Sequence, residues 1–464
     1  MSNMKFTVCI PLIALLAACS PLKPLQLKHD DGLAGMPSQW RHQADSADAQ
    51  IERDWWQAFA NPELDSLVQR AQRANYDIAA AVARVTQAQK LAVVAGAPLL
   101  PEVSATANAG RQHRLGGGSD AANANHYAGS LVASYEVDFW GKNRSAYQGA
   151  LARVEASQFD RDSVRLSITA SVANTWMELT GLRERALIAQ QNLDNAEKVL
   201  RLVQSRYRAG AANQLALAQQ QGLVATQRRT VVLLKQQQGN TEAVLATLLS
   251  QPLAELQFGN SLLRDLQLPQ TSVSLPSSLL TRRPDIASAE AALLAAQADI
   301  QVARAVMLPS ITLNGGMLSS SNHLASVLDH PLYSLAAGLT APIFNAGRLA
   351  AQRDIAIARR EELLANYRQT IIAAFADVEA ALNRIQGLDQ QAVAQAEALE
   401  NAERAFNFAQ SRYQAGAETM LNLLDTERTL FTAQDVNLQI RQQRLQAAID
   451  LYRALGGGWA RSVS

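Results

Sequence analysis

Aromatic side chains are scarce in this chain, at 5% of 464 residues, while Ala and Gln are abundant. That composition favours long helices over one thick globular core. An excess of either charge is missing as well: 42 Lys and Arg stand against 41 Asp and Glu, with no basic block, so a nucleic-acid surface is unsupported. Beyond the N-terminal leader no uninterrupted apolar run reaches the roughly 18 residues of a membrane-spanning helix, and none is expected. Catalytic patterns are absent too. The six His (His29, His42, His113, His126, His323 and His330) show no HExxH or paired-ligand spacing. No Walker A loop, no GxGxxG after a strand and no GxSxG elbow occurs. The sequence therefore points to no metal, no cofactor and no enzyme. "LGGGW" near the C-terminus follows a helix instead of opening one, so it does not read as a phosphate cradle. "TRRPDI" (281–286) reads as a structural turn, with Asp285 near a helix N-terminus.

Cysteine is nearly absent, and its positions are informative. After "MSNMKF" the stretch Phe6 to Ala18 is almost wholly apolar and ends in "LAAC". It is too short for a membrane span and suits a signal peptide over 1–18. Leu16-Ala17-Ala18-Cys19 resembles the bacterial lipobox, in which the leader is cut before a Cys that is then acylated; the other reading is an ordinary buried Cys. Cys9 leaves with the leader, so Cys19 has no disulfide partner. In such lipoproteins Ser20, standing after the Cys where Asp would retain it, goes with export to the outer membrane.

What the chain does have is an internal duplication. "SRYRAGAANQLAL" from Ser205 returns as "SRYQAGAETMLNL" from Ser411, which places Gly210 and Gly416 206 positions apart (416 − 210 = 206). Upstream, 77–101 and 285–309 align without gaps and match at 12 of 25 positions. Both read as Ala-rich helices stopped at a Leu-Pro step. The period then changes to two. Val103, Ala105 and Ala107 oppose Ser104, Thr106 and Asn108, while Leu131, Ala133, Tyr135, Val137 and Phe139 oppose Ser134, Glu136 and Asp138. In the second copy Ile311 and Leu313 oppose Thr312 and Asn314, followed by Leu335, Ala337, Leu339, Ala341 and Ile343. Four strands of about ten residues, apolar on one face, fit a membrane barrel with a wet lumen or an amphipathic sheet on a soluble core.

Each strand pair opens into a very long helix. From Asn143 to Ala209 there is no Pro, and about 65 helical residues would span roughly 100 Å. Leu193, Leu200 and Tyr207 recur every seven residues beside Ala196 and Val203; Leu399, Phe406 and Tyr413 repeat this beside Ala402 and Ala409. Leu217, Val224 and Val231, then Leu423 and Leu430, continue the seams after each Gly. These read as antiparallel coiled-coil hairpins, with Gly210 and Gly416 at the reversals. From Pro252 to Pro284 the periodicity weakens, as in a connector.

Together, "LAAC", "DWWQAFANPELDSLVQRA", "YEVDFWGKNRSA", "LLTRRPDI", "SRYQAG", "LLDTERTLFTAQ" and "LYRALGGGW" resemble the outer membrane factor (TolC-like) family of tripartite efflux pumps, in its lipoprotein branch typified by OprM and NodT. The resemblance spans nearly the whole chain. It implies a mixed α and β membrane protein forming a homotrimer. Four strands per chain would build a twelve-stranded β-barrel, continued by a long α-helical coiled-coil tunnel through the periplasm. Along the chain it implies a leader (1–18), an N-terminal extended segment and equatorial helix (19–76) and a first repeat (77–251). An equatorial connector (252–284), a second repeat (285–455) and a tail (456–464) follow.

Members of that family are not enzymes but passive exit ducts for drugs or other small molecules. The implied partners are a periplasmic adaptor (membrane fusion) protein, an inner-membrane transporter and outer membrane lipid, with a lipid expected on Cys19 and no nucleic acid. Arg206, Tyr207, Ala209, Gly210 and Ala211, with Arg412, Tyr413, Ala415, Gly416 and Ala417, would be the adaptor-docking tips. "LNLLD" matches a constricting segment, in which Leu421 would supply an apolar ring and Asp425 an acidic one favouring cations. As a plain seam residue Leu421 would have no such role. The position matching Asp425 in the first repeat is Gln219, so an acidic gate would belong to one hairpin of each pair. The alternatives are the exit duct of a protein secretion system, which uses the same fold, or a lipid-anchored periplasmic coiled-coil scaffold, against which the four alternating strands speak.

Overall fold

The computed structural model describes residues 39–41, 51–112, 124–269 and 276–461 of the chain. In chain order come α1 (Pro62–Ala74), α2 (Tyr76–Gly96), β1 (Glu102–Gln112), β2 (Ala124–Val137), α3 (Lys142–Arg208) and α4 (Gln214–Leu248). After several short 3-10 turns the series returns as α5 (Pro284–Ala305), β3 (Ser310–Ser321), β4 (Leu332–Thr340), α6 (Arg348–Gln414) and α7 (Met420–Ala454). Both long helices have 67 residues and both return helices 35. The chain folds into two compact units. Among the described residues, one holds Ala83–Gln158 and Ser288–Arg368. The other holds the stretches up to Val82, Phe159–Ala287 and from Gln369 onward.

The first unit carries a four-stranded antiparallel sheet in the order β1-β2-β3-β4. Its register puts Val103 opposite Ala133, Leu131 opposite Met317, Tyr135 opposite Leu313, and Leu313 opposite Ala337. All the apolar residues of the four strands that alternate in the sequence therefore share one face. Val103, Leu131, Leu313, Met317, Tyr333, Leu335 and Leu339 on that face are exposed within the chain. Covering each would be worth about 1.5–3 kcal/mol, so the face requires a cover. The opposite face carries the polar residues, with Thr106 and Ser130 hydroxyls 2.7 Å apart and Ser134 donating to Asn314 at 2.8 Å, and Val132, Leu318 and Leu332 stand among them. Two expectations need correction. Phe139 lies beyond the end of β2, and Ala341 and Ile343 lie beyond β4, which stops at Thr340 before Pro342. Proline has no N–H to donate and fits poorly in a continuing ladder.

The motif "YEVDFWGKNRSA" is the corner that turns β2 into α3. Asp138 caps the helix by accepting from the N–H groups of Asn143 (2.9 Å) and Arg144 (2.8 Å). Lys142 reaches back to Glu136 at 2.6 Å, and the Trp140 indole donates to the Pro309 carbonyl at 2.7 Å.

In the second unit, Trp55, Trp56 and Phe59 bury themselves with Leu64, Leu67, Trp176, Leu245 and Ile449. Asn61 caps α1 through Glu63 N–H and Leu64 N–H, with Pro62 in the first turn. Asn75, in extended conformation, ends α1 and caps α2 through Asp77 N–H and Ile78 N–H. The stretch Pro62–Leu99 is the one helical stretch among the described residues that is long and apolar enough to cross a membrane by length and composition. Asn75 breaks it into two helices, alanine carries its average, and Arg84 and Lys90 interrupt it, so no uninterrupted apolar run of that length occurs in it.

"TRRPDI" and "LGGGW" turn out to be one packing feature. Arg283 donates to Asp285 (2.7 Å), to Asp377 (3.2 Å) and to the Ala454 carbonyl (3.0 Å). Gly456 and Gly458 have φ of +92° and +72°, and a Cβ there would collide with the Arg282 and Glu52 backbones. Only glycine fits.

Candidate functional site: the paired helical tips

Each tip is built the same way. Gly210 (φ +75°) and Gly416 (φ +79°) supply the left-handed residue that stops a long helix. The Ala211 N–H donates to the Arg206 carbonyl (2.8 Å) and Gly210 N–H to the Tyr207 carbonyl (3.0 Å). In the second tip Ala417 N–H donates to Arg412 (2.9 Å) and Gly416 N–H to Tyr413 (3.1 Å), so both helices close with a Schellman pair. The return helices start at matching caps: Asn213 accepts from Ala216 N–H (2.8 Å) and Thr419 from Asn422 N–H (3.3 Å). Ala209, Gly210, Ala211, Ala415, Gly416 and Ala417 are all exposed.

Side chains break this equivalence. Arg206 leaves its own hairpin: it donates to the Gln414 carbonyl at 2.9 Å and lies 4.6 Å over the Tyr413 ring. Arg412 stays at home, bonded to Glu418 (3.3 Å) and to the Ala417 carbonyl (3.1 Å). Hydrogen bonds from the Asn422 amide and the Thr419 N–H, with Arg412 nearby, hold the Glu418 carboxyl below its ordinary range. Tyr413 is 4% exposed and Tyr207 42%. Tyr207 thus leaves the seam that its seven-residue spacing predicts, while Leu193, Ala196, Val203, Phe406, Ala409, Leu423 and Leu430 take their places in the core shared by the hairpins.

Leu421 projects from the first turn of α7 at 65% exposure, and Asp425, one turn on, is exposed as well. Leu215 occupies the same place on α4 and is 63% exposed, so the apolar half of this feature is present in both hairpins and only the acid is not. The exposure of Leu421 also removes it from the seam. Cys19 lies outside the described residues.

Sequence reading missed Glu427. It is fully buried between Leu423 and Leu430 on α7, and among the described residues neither carboxyl oxygen has a hydrogen-bond partner. Burial pushes this carboxyl up from 4.5 to about 7; the Gln220 amide and Arg428 temper the shift. The temper is weak, because Gln220 is already committed to the Ala196 carbonyl at 2.9 Å and forms no bond to the carboxyl. An acid inside a seven-residue leucine seam was the signal available.

Comparison with known proteins follows the same outline. The family model described as "Outer membrane efflux protein" matches residues 67–251 and 275–457. The pyoverdine export outer membrane protein OpmQ of Pseudomonas aeruginosa is 51% identical, covering 98% of both chains. A probable outer membrane lipoprotein of Salmonella typhimurium, SilC, is 30% identical over 97% of this chain and 98% of its own. Among solved structures, the open state of the Neisseria gonorrhoeae MtrE outer membrane channel superposes with a TM-score of 0.86. It is 28% identical, over 95% of this chain and 100% of that one.

Proposed function

The chain belongs to the outer membrane efflux protein family, and from that premise we propose that three copies close into one passive duct for small molecules. The observation that carries this is the sheet. It has one apolar exposed face, one mostly polar face and, among the described residues, an unpaired edge at β1 and at β4. In lipid an open edge costs several kcal/mol for each unpaired backbone group, so such a sheet must close. Pairing β4 of one copy with β1 of the next removes every edge, turns the apolar face to lipid and the polar face to a lumen. Three copies supply twelve strands.

The tips extend the reading. The exposed Ala-Gly-Ala turns of both hairpins form the surface for a periplasmic adaptor, which links the duct to an inner-membrane transporter. Leu421 and Asp425 narrow its mouth. Threefold symmetry would gather three Asp425 carboxylates, favouring cations and straining the closed state by mutual repulsion. Cys19 carries the lipid, checked by loss of fatty-acid labelling in Cys19→Ala. Pyoverdine, the compound in the name of the 51% identical relative, is the first substrate to test.

The decisive experiment is reconstitution. Detergent-extracted protein should run as a trimer unless heated and should form low-conductance pores in planar bilayers, with Asp425→Ala raising the conductance. Release from membranes as an elongated soluble monomer would sink the duct. Unchanged conductance in Asp425→Ala would remove this carboxylate from the gate.

A further inference from the structure

The duplicated tips contain a contact that is made once within the chain and has the residues to be made twice. Arg206 of the first tip covers the Tyr413 ring of the second and donates to the Gln414 carbonyl. The residues 206 positions away are Arg412 for Arg206, Tyr207 for Tyr413 and Arg208 for Gln414. The backbones around them are the same, down to both Schellman pairs and both caps. Yet Tyr413 is covered and Tyr207 is open.

We propose that Arg412 stacks on Tyr207 of the next copy of this chain and donates to that copy's Arg208 carbonyl. This rests on the trimeric reading above. The contact is directional: each tip gives an arginine to the tip ahead and presents a tyrosine to the tip behind. A head-to-tail contact of this kind generates a closed ring when its rotation closes, and three chains of two tips each complete one. Half the ring's seams then lie inside chains and half between them.

The two kinds of seam are not equally strong. Arg412 has a competitor in Glu418, whereas the first tip has Ala212 at that position, whose methyl group offers Arg206 no acceptor and leaves it to cross. Glu418 already holds Arg412 within its own tip in the single chain. The seam between copies therefore trades one partner of Arg412 for another, and it is the seam that parts first when the mouth widens.

Paired cysteines test this in the full-length protein in its membrane, with a short bismaleimide as the probe. Arg412→Cys with Tyr207→Cys should give covalent trimers on a denaturing gel. Arg206→Cys with Tyr413→Cys should cross-link inside the monomer and give no larger species. Position 412 is already uncharged in the first pair, so adding Glu418→Gln to it should leave the trimer yield unchanged, and a changed yield would mean that Glu418 acts other than through Arg412. In the otherwise native protein, Tyr207→p-benzoylphenylalanine should photo-cross-link to peptides around Arg412, and Glu418→Gln should raise that yield by about twofold, as expected for losing one exposed ion pair. An unheated trimer whose paired cysteines stay monomeric, or photoadducts mapping away from Arg412, overturns the contact while leaving the duct intact. Absence of any trimer in the unmodified protein overturns both.

Discussion

At the first tip Arg206 reaches across to the other hairpin and Tyr207 stands open; at the second, Arg412 folds onto its own Glu418 and Tyr413 is buried. The helices leading to these tips have the same length, the same terminating glycine conformation and the same caps. Duplication thus copied a backbone, and the later divergence was in what faces each copy. Tertiary partners decide whether a repeated residue is core or surface, because seven-residue spacing fixes an angle on a helix and not a neighbour.

The sharpest way to break this comparison is to delete the two tyrosines separately. Tyr413 packs in the core with Phe406, Ala409 and Leu423, so Tyr413→Ala should cost about 3 kcal/mol, the usual price of emptying an aromatic site. Tyr207→Ala should cost about 1 kcal/mol or less, the scale of one exposed cation–π contact. Thermal unfolding of the detergent-solubilised protein, followed by helical circular dichroism, checks both. Equal losses would mean that the tips are equivalent after all.

A second asymmetry is titratable. Glu427 is buried in the second hairpin, and the matching residue in the first is the exposed Gln221. The folded carboxyl titrates near 7, above its ordinary 4.5. Its stabilising contribution is therefore fully present below pH 4.5 and is lost as pH rises through about 7. From pH 5 to pH 8 the helical region should lose about 2 kcal/mol from this one group. Glu427→Gln should flatten that dependence while keeping low-pH stability. A pH slope unchanged by the substitution would show that the proton sits elsewhere.

How far the sequence foretold all this varies with the kind of feature. The four alternating strands, the two reversals at Gly210 and Gly416 and the long unbroken helices were legible, because backbone geometry depends on local residue type and period. Strand ends were less so: Phe139, Ala341 and Ile343 keep the alternation after the ladder has stopped. The pairing of Arg283 with Asp377 and Ala454, and the tight fit of Gly456 to Arg282, joined two motifs that are remote in sequence and looked unrelated. Leu215 has Gln219 one turn on where Leu421 has Asp425, so its sequence carries no acid to mark it as the counterpart of Leu421. Its exposure, matching that of Leu421, depends on what packs against each return helix and not on local sequence.

The smallest expected difference is none, and it probes the other half of the comparison. Gly210 and Gly416 both sit at positive φ, and a Cβ at either would meet nothing within 4 Å. Substitution by Ala therefore creates no clash, and its cost is that of holding an L-residue in the left-handed region, about 1 kcal/mol. Because side chains play no part, Gly210→Ala and Gly416→Ala should lower unfolding stability by the same amount, even though Tyr207→Ala and Tyr413→Ala differ severalfold. If the two glycine variants diverge as strongly as the tyrosine variants, the tips differ in backbone strain as well as in partners. The asymmetry would then reside in the turns themselves and not in the residues that face them.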